Sequence, residues 1–350
     1  MNALESQLDY PFGEHLPASG TVMPIVPGLA WLRMPLPFAL DHINLWLLDD
    51  VQDGRTGYCA IDCGVASDAT RAAWEQIFTG AMHGQPLVRV LATHCHPDHV
   101  GLSDWLCTRF GAALWMSTGE YGFARMMSAA LPGVDGTAAL PHFQRHGMQD
   151  PAMIEHMASR KNYYPSLVPA VPQAYTRLQD GQLVRIGNDD WQVITGFGHA
   201  PEHVSLYCAA HKVLISGDMV LPRISTNVSV FAVEPEANPL QLYLDSLHKY
   251  DHLPQDTLVL PSHGRPFRGL HTRIAQLRDH HRARLAEVLT ACASPQTAAD
   301  IVPIMFRRQL DAHQLSFALG EALAHLHLLW RTGQLLREQG PDGQLRFVLG

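Results

Sequence analysis

The sequence predicts an α/β fold in which two β-sheets pack face to face with helices on the outside, followed by a small helical module. Two observations predict the sandwich. Residues 21–116 read as four strands and then alternating helices and strands. A second set of four strands, a helix and a last strand follows from residue 183. Strands followed by helices, twice over, suit a four-layer αββα sandwich.

In the first half, short apolar runs separated by Pro, Gly and Asp predict strands at residues 21–26, 29–34, 43–49 and 56–61. Residues 67–81 carry apolar side chains at helical spacing, with Ser67 or Asp68 as the N-cap. Residues 87–92 and 112–116 are short apolar runs typical of buried strands, and a helix is predicted between them at 100–110.

The middle of the chain interrupts this pattern. Residues 117–175 are rich in Met, His, Pro and aromatic residues, and their helical periodicity is broken. We interpret them as a mostly helical insertion between the two halves. The second half then gives strands at 183–186, 191–195, 204–208, 213–216 and 257–260, with a helix at 239–250.

The C-terminal part differs in character from the rest. Amphipathic helices are predicted at residues 271–293, 295–305 and 313–339, followed by a hairpin at 339–349 around a Gly-Pro-Asp-Gly turn. Three helices and a hairpin make a winged-helix-like α+β module. We therefore expect a main domain at residues 1–268 and a winged-helix-like domain at residues 269–350.

Composition narrows the functional classes. The chain has 350 residues, of which 47% are hydrophobic and 17% charged, and a net charge of -8. An acidic balance disfavours nucleic acid as a partner without ruling it out. The sequence has no apolar run long enough for a membrane span and no basic start with an apolar middle, so we expect a cytoplasmic protein without a membrane partner. Six cysteines do not make a disulfide scaffold, and we expect reduced thiols.

The most informative segment is Thr93-His-Cys-His-Pro-Asp-His99, which follows a buried strand and precedes a helix. Imidazole nitrogens and carboxylate oxygens are natural zinc ligands. His94 and His96 are two apart on a turn, so both reach one ion. Asp98 and His99 start the next helix and reach a second ion nearby. The chance that this segment is only a solvated His-rich loop is small.

Three further residues of metal-ligand type follow apolar strands. His199, Asp218 and His263 each stand beside a Gly or Ser that permits close approach. Alone, each is better explained as a capping or loop residue. Their order after the His cluster makes them candidate ligands.

This order, with Asp62 before the cluster, resembles the metallo-β-lactamase-fold superfamily. The pattern of that family is an early Asp, a His-x-His-x-Asp-His cluster, a distal His, an Asp and a last His, and the resemblance covers about residues 20–268. The C-terminal module and the Gly-Asp-Met-Val-Leu-Pro-Arg run at 217–223 resemble the subgroup that has a winged-helix-like C-terminal domain.

The resemblance implies two metal ions per chain, most simply Zn²⁺, with Mn²⁺ or Fe as alternatives that use the same ligands. It assigns His94, His96 and His199 to the first ion. It assigns Asp98, His99 and His263 to the second, with Asp218 bridging both. Asp62 is not a ligand in the family and supports the ligand loop by hydrogen bonds.

Two such ions imply a hydrolase whose nucleophile is a hydroxide bridging the metals, with Asp98 as the catalytic carboxylate nearest to it. We expect a small-molecule substrate with a carbonyl centre, a thioester, ester or lactone, because the Met- and aromatic-rich insertion is suited to roof an apolar pocket. The alternative is a phosphodiesterase of endoribonuclease type. A further alternative is a mononuclear iron sulfur dioxygenase.

Residues near the ligands in sequence are candidates for binding substrate. Arg223, Arg265 and Arg268 suit an anionic group, and His203 is a candidate pocket residue. The tail from residue 270 carries nine arginines against seven acidic residues, which is nearly neutral and disfavours a nucleic-acid module. Its leucine stripe suits docking on the main domain or on a second subunit in a homodimer.

Overall fold

The computed structural model describes residues 4–38, 40–134, 137–159 and 163–350. Its first sheet contains seven strands in chain order, of which the first four are antiparallel and the last four parallel. They are β1 (Met23–Val26), β2 (Leu29–Pro35), β3 (His42–Gln52), β4 (Arg55–Ile61), β5 (Leu87–Leu91), β6 (Ala113–Met116) and β7 (Thr176–Arg177). Three helices connect them: α1 (Asp68–Thr79), α2 (Pro97–Val100) and α3 (Ser103–Phe110).

The second sheet has six strands in the order β13-β12-β11-β10-β9-β8, in which only β11 and β12 are parallel neighbours. Its strands are β8 (Leu183–Ile186), β9 (Asp189–Gly196), β10 (His203–Cys208), β11 (Val213–Gly217), β12 (Leu258–Pro261) and β13 (Phe267–Arg268). The helix α8 (Pro239–Leu247) connects β11 to β12 on the outer face.

Apolar side chains from both sheets meet in one buried layer. Trp31 and Trp46 of the first sheet stack with ring centroids 6.2 Å apart, and Trp191 and Leu206 of the second sheet belong to the same cluster. A second cluster packs α1 against the outer face of the first sheet, and a third packs α8 on the outer face of the second. The predicted αββα sandwich is therefore confirmed, with each sheet buried on both faces.

The insertion is helical, as predicted. It contains α4 (Thr118–Ser128), α5 (Ala139–Arg145), α6 (Pro151–Ser159) and α7 (Tyr163–Leu167), while residues 135–136 and 160–162 lie outside the described residues. Its buried Phe143, Met148, Met153 and Met157 belong to the cluster that also contains the C-terminal helices. These apolar residues therefore join two parts of the chain, whereas the sequence suggested that they roof a pocket.

The C-terminal part forms three helices and a two-stranded hairpin: α9 (Leu270–Ala291), α10 (Ala298–Met305), α11 (Ala312–Arg331), β14 (Leu335–Gln339) and β15 (Leu345–Leu349). The last helix ends eight residues before its predicted end, because Gly333 adopts a left-handed φ of +75° and the chain turns into β14. None of the helices in the described parts of the chain is long and apolar enough to cross a bilayer. All six cysteines are buried and free.

Candidate metal centre

The candidate ligands lie at the carboxyl ends of strands that meet at one edge of the sandwich. Asp62 follows β4, the 93–99 segment follows β5, and His199, Asp218 and His263 follow β9, β11 and β12. Because β4 and β5 run parallel, as do β11 and β12, their carboxyl ends reach the same edge. The short helix α2 starts within the segment and turns Asp98 and His99 towards this edge.

The structure brings the seven predicted ligands together in two groups. In the first, donor atoms of His94, His96, His199 and Asp218 all lie within 4.8 Å of one another. In the second, donor atoms of Asp98, His99 and His263 do so. Each group thus offers at least three nitrogen or oxygen donors to one cation.

Asp218 stands between the two groups. Its Oδ2 lies 3.5 Å from Nε2 of His199, while its Oδ1 lies 3.7 Å from Nε2 of His99 and 3.6 Å from Nε2 of His263. The two oxygens of one carboxylate therefore face different groups, which is the arrangement that a bridging ligand requires.

Two buried atoms show that the site fits cations. Among the described residues, Nε2 of His99 and Oδ1 of Asp218 have no hydrogen-bond partner. A buried polar atom without a partner costs free energy, so such atoms are rare in folded proteins. Metal ions placed between the two groups would satisfy both atoms.

The protonation of the ligands supports the same conclusion. Burial lowers the pKa of His94 well below its usual range and that of His96 to about 3, so both imidazoles are neutral and offer lone pairs. Burial also opposes the charged form of His99, but three surrounding carboxylates raise its pKa to about 10. In metal-free protein, His99 of the second group is therefore protonated. A bound metal ion would supply that positive charge instead.

Asp62 fixes the orientation of the ligand loop. Its Oδ1 accepts the backbone N–H of Thr93 at 2.7 Å, and its Oδ2 lies 2.8 Å from Nδ1 of His99. An N–H at this Nδ1 leaves Nε2 free to face the cation. Asp62 has a left-handed φ of +65°, a strained conformation for a non-glycine residue that is common at functional sites.

Backbone carbonyls orient two other histidines. Nδ1 of His199 lies 2.7 Å from the carbonyl oxygen of Asn227, and Nδ1 of His263 lies 2.9 Å from that of His42. Asn44 holds the His263 loop by donating to the carbonyls of Pro261 and Gly264. Sequence reasoning missed these contacts, because Asn44 and His42 lie more than two hundred positions from the loop they support.

The insertion supports the centre through Glu120 and Tyr164. The buried Glu120 carboxylate accepts the backbone N–H of Cys95 at 2.8 Å and that of Glu202 at 2.6 Å. The Tyr164 hydroxyl donates to the carbonyl of Cys95. The insertion thus ties the 93–99 segment to the loop of His199. The one sequence signal of this role was Glu120 itself, an acidic residue in an otherwise apolar helical turn.

His203 has a different position from the one predicted. It is fully buried, and its Nε2 accepts the backbone N–H of Asp218 at 3.1 Å. A Cβ on Gly217 would lie 2.3 Å from this Nε2, so only glycine permits the contact. His203 therefore holds the backbone of Asp218, and its side chain has no surface that a substrate could reach in this structure.

The predicted substrate arginines make their contacts with residues outside the two ligand groups. Arg265 donates to the carbonyl of Gly13 at 2.9 Å, and its guanidinium lies 4.5 Å above the ring of Tyr10. Arg223 is largely exposed, 3.9 Å from the carboxylate of Glu5. Arg268 donates to the carbonyl of Asp256. None of these partners belongs to the two ligand groups, and a role of the three arginines in binding substrate stays a prediction.

The loop after Asp218 is anchored by the C-terminal helices. Arg273 of α9 is buried and donates to the carbonyls of Leu221 at 2.6 Å and Ile224 at 2.8 Å. The backbone N–H of Val230 donates to the carbonyl of Gly320 in α11 at 3.1 Å. Asn227, which orients His199, lies between these anchors.

Two family models match the chain. Residues 43–263 match the model described as "Metallo-beta-lactamase superfamily", and residues 285–349 match "Metallo-beta-lactamase-like, C-terminal domain". A protein of Bacillus subtilis (strain 168) named "Probable metallo-hydrolase YqjP" is 23% identical over 324 residues, which cover 85% of this chain and 91% of that protein.

Solved structures agree with these matches. A β-lactamase domain protein from Burkholderia ambifaria is 59% identical and superposes with a TM-score of 0.95 over 100% of both chains. A metallo-β-lactamase family protein from Thermus thermophilus is 28% identical, with a TM-score of 0.77 over 93% of this chain and 100% of that one. Together with the family model, which spans more than half of the sequence, they show that the chain belongs to the metallo-β-lactamase superfamily and is a metal-binding hydrolase.

Proposed function

We propose that the chain hydrolyses a small substrate with a carbonyl centre, a thioester, ester or lactone, and that it does so with two Zn²⁺ ions. His94, His96 and His199 would hold the first ion, Asp98, His99 and His263 the second, and Asp218 both. The observation that carries the two-ion proposal is the placement of Asp218, whose oxygens face one group each.

Bound divalent cations supply a water acidic enough to give hydroxide near neutral pH, and they polarise the oxygen that gains charge in the reaction. Asp98 is the most exposed carboxylate of the two groups, with 16% of its side chain accessible against 10% for Asp218. Burial raises the pKa of Asp98, but His99 and His263 outweigh it and lower this pKa to about 2. Asp98 is therefore ionised at neutral pH, and it would accept a hydrogen bond from the attacking water and orient it.

The charge around the site favours a carbonyl substrate over a phosphodiester. The three candidate arginines contact residues outside the ligand groups, which disfavours a phosphate cradle built from them. The C-terminal helices are nearly neutral and pack on the second sheet and the insertion. A nucleic-acid module would need a free basic face.

The loop after Asp218 offers apolar surface for an acyl group. Ile224, Phe231 and Val233 are exposed to 43%, 44% and 46%. They flank Asn227, which contacts the ligand His199, so they stand on the loop that borders the centre. Apolar side chains beside a metal centre bind the hydrocarbon part of a substrate, whereas a polyanion gains nothing from them.

The test is to load the purified protein with Zn²⁺ and to time its hydrolysis of an acyl thioester and of an activated phosphodiester side by side. Asp98→Ala serves as the inactive variant. Asp245→Ala, which removes an exposed carboxylate of α8, is the matched control. Metal content is measured in all three proteins, so that loss of chemistry is separated from loss of metal.

Thioester turnover that is lost in Asp98→Ala and kept in Asp245→Ala would support the proposal. Phosphodiester turnover alone would replace it with the nuclease-type alternative. Oxygen consumption by protein loaded with iron, without hydrolysis of either ester, would replace it with the sulfur dioxygenase alternative.

A further inference from the structure

A third group of metal-ligand residues, separate from the two groups of the metal centre, lies at the opposite end of the second sheet. Cys208 is the last residue of β10, and His211 stands in the tight turn that leads to β11. The segment reads Cys208-Ala-Ala-His211, so two donors are separated by two residues within one turn. Short spacing of this kind brings a sulfur and an imidazole to the same side of the backbone, as in structural zinc sites.

A third donor comes from the neighbouring strand. Cys208 pairs with Trp191 across β9 and β10, and Asp189 precedes Trp191 by two residues. Paired residues share a face, and so do residues two apart on a strand, so Asp189 projects from the same face as Cys208. The donor atoms of Asp189, Cys208 and His211 lie within 4.8 Å of one another.

The Cys208 thiol is buried, and burial raises its pKa above the usual range, while the backbone N–H groups of His211 and Ala210 act in the opposite direction. Metal-free protein therefore holds a thiol here, and a bound cation would displace its proton to give the thiolate that binds metals. Among the described residues, Cys208 is the one cysteine that is grouped with two further ligand residues.

The group opens to solvent on one side. Asp189 and His211 line a surface pocket of about 620 Å³, together with Asn188 and Trp191. Nε2 of His211 lies 3.0 Å from Oδ2 of Asp189, so the imidazole and the carboxylate already converge at the pocket wall. A cation held there would have three protein donors and one position facing water.

This group is separate from the centre described above. His203, which supports Asp218, begins β10, and Cys208 ends it. Five steps along a strand span on the order of 17 Å, so the two groups lie at opposite ends of the strand. None of the seven candidate ligands of the metal centre belongs to this third group.

We propose that Cys208, His211 and Asp189 bind one thiophilic divalent cation of the zinc class, with water as the fourth ligand. A thiolate and a carboxylate supply two negative charges, and the neutral imidazole adds none, which balances a 2+ ion. The thiol proton is released to solvent on binding. The bound ion joins β9 to the turn between β10 and β11, and therefore clamps the end of the sheet that lies away from the catalytic edge.

The test uses cobalt as the probe, because a thiolate bound to Co²⁺ gives a near-ultraviolet sulfur-to-metal charge-transfer band that histidine and carboxylate ligands do not give. Full-length metal-free protein is titrated with Co²⁺, and bound metal is counted by elemental analysis. The same titration is run on Cys208→Ser, on His211→Gln and on the control Cys292→Ser, which removes another buried thiol. Asp218→Ala reports whether the signal depends on the first centre.

The proposal expects the band in the unmodified protein, in Cys292→Ser and in Asp218→Ala. It expects Cys208→Ser to lose the band and to bind one ion fewer than the unmodified protein. His211→Gln keeps the thiol and should weaken Co²⁺ binding at this group by at least tenfold. The absence of a band in the unmodified protein, or its persistence in Cys208→Ser, would overturn the proposal and leave Asp189 and His211 as an ordinary ion pair.

Discussion

Replacing Asp62 by Asn tests whether this buried carboxylate controls metal binding through His99. The carboxylate accepts from the backbone of Thr93 and from Nδ1 of His99, 2.7 and 2.8 Å away. In Asp62→Asn, the amide oxygen can keep the Thr93 contact while its NH₂ group faces Nδ1. Two donors cannot share one hydrogen bond, so the imidazole proton moves to Nε2, which is the atom that faces Asp98 and Asp218.

The expected magnitude follows from this change of tautomer. Loss of a partner that orients a ligating histidine typically costs 10–100-fold in metal affinity, or about 1.4–2.7 kcal/mol. The loss should fall mainly on the second group, since among the described residues Asp62 reaches His94 only through the Thr93 hydroxyl, which donates to Asp62 and lies 3.0 Å from Nδ1 of His94. Protein folding should suffer less, because Asn keeps the size of the side chain.

Zinc titrations against a chromophoric chelator resolve the two affinities when they are run in a Cys208→Ser background, which removes the separate proposed site. Asp62→Asn should weaken one binding step and leave the other within a factor of about two. The control is Asp180→Asn. The Asp180 carboxylate also accepts a backbone N–H, that of Thr195, but Asp180 belongs to neither ligand group. Two binding steps of unchanged affinity in Asp62→Asn would refute the role of Asp62.

Three further predictions concern protons and stability. Burial raises the pKa of Glu321 from 4.5 to about 7, so between these pH values the folded protein binds a proton that the unfolded chain does not. The free energy of unfolding should therefore fall by roughly 3 kcal/mol as the pH rises through this range. In urea titrations at pH 5 and pH 8, the midpoint of Glu321→Gln should fall less than that of the unmodified protein. Neighbouring carboxylates hold the pKa values of His99 and His263 above their usual range despite burial. Zinc binding to metal-free Cys208→Ser protein at pH 7 should therefore release protons into a weakly buffered indicator solution, and no release would contradict the assigned protonation. Glu120→Ala leaves two buried N–H groups, including that of Cys95, without an acceptor and should lower the free energy of unfolding by about 2–4 kcal/mol in denaturant titrations, with a smaller loss in Glu120→Gln.

The regular elements were predictable because apolar periodicity dominates them. The strands at residues 29–34 and 87–92 and the helix at 67–81 lie within one or two residues of β2, β5 and α1. The two-residue strands β7 and β13 were not predicted, since pairs of residues carry no period. The end of α11 was placed too late because the leucine pattern continues into β14, and only the left-handed Gly333 marks the change.

For the candidate site, the sequence predicted donor types and their order, and the structure brings all seven donors together. It did not predict what holds them. Asn44, Glu120 and Arg273 act over long sequence separations through hydrogen bonds to backbone atoms, and backbone partners leave no trace in residue spacing. The contact of His203 with the backbone of Asp218 was not predicted either, since sequence proximity to a ligand does not state on which side of it a side chain lies.

Arg273 and Gly320 of the C-terminal helices anchor the loop after Asp218, and this limits which C-terminal segments could replace the present one in a chimeric protein. The last eighty residues do not form a module that can be exchanged freely between relatives. A chimera that receives a foreign tail would need to recreate two hydrogen bonds to the Leu221 and Ile224 carbonyls and a close approach at Ser229. Because the acceptors are backbone carbonyls, the requirement falls on the tail, which must keep an arginine at position 273 and a residue without a side chain at position 320.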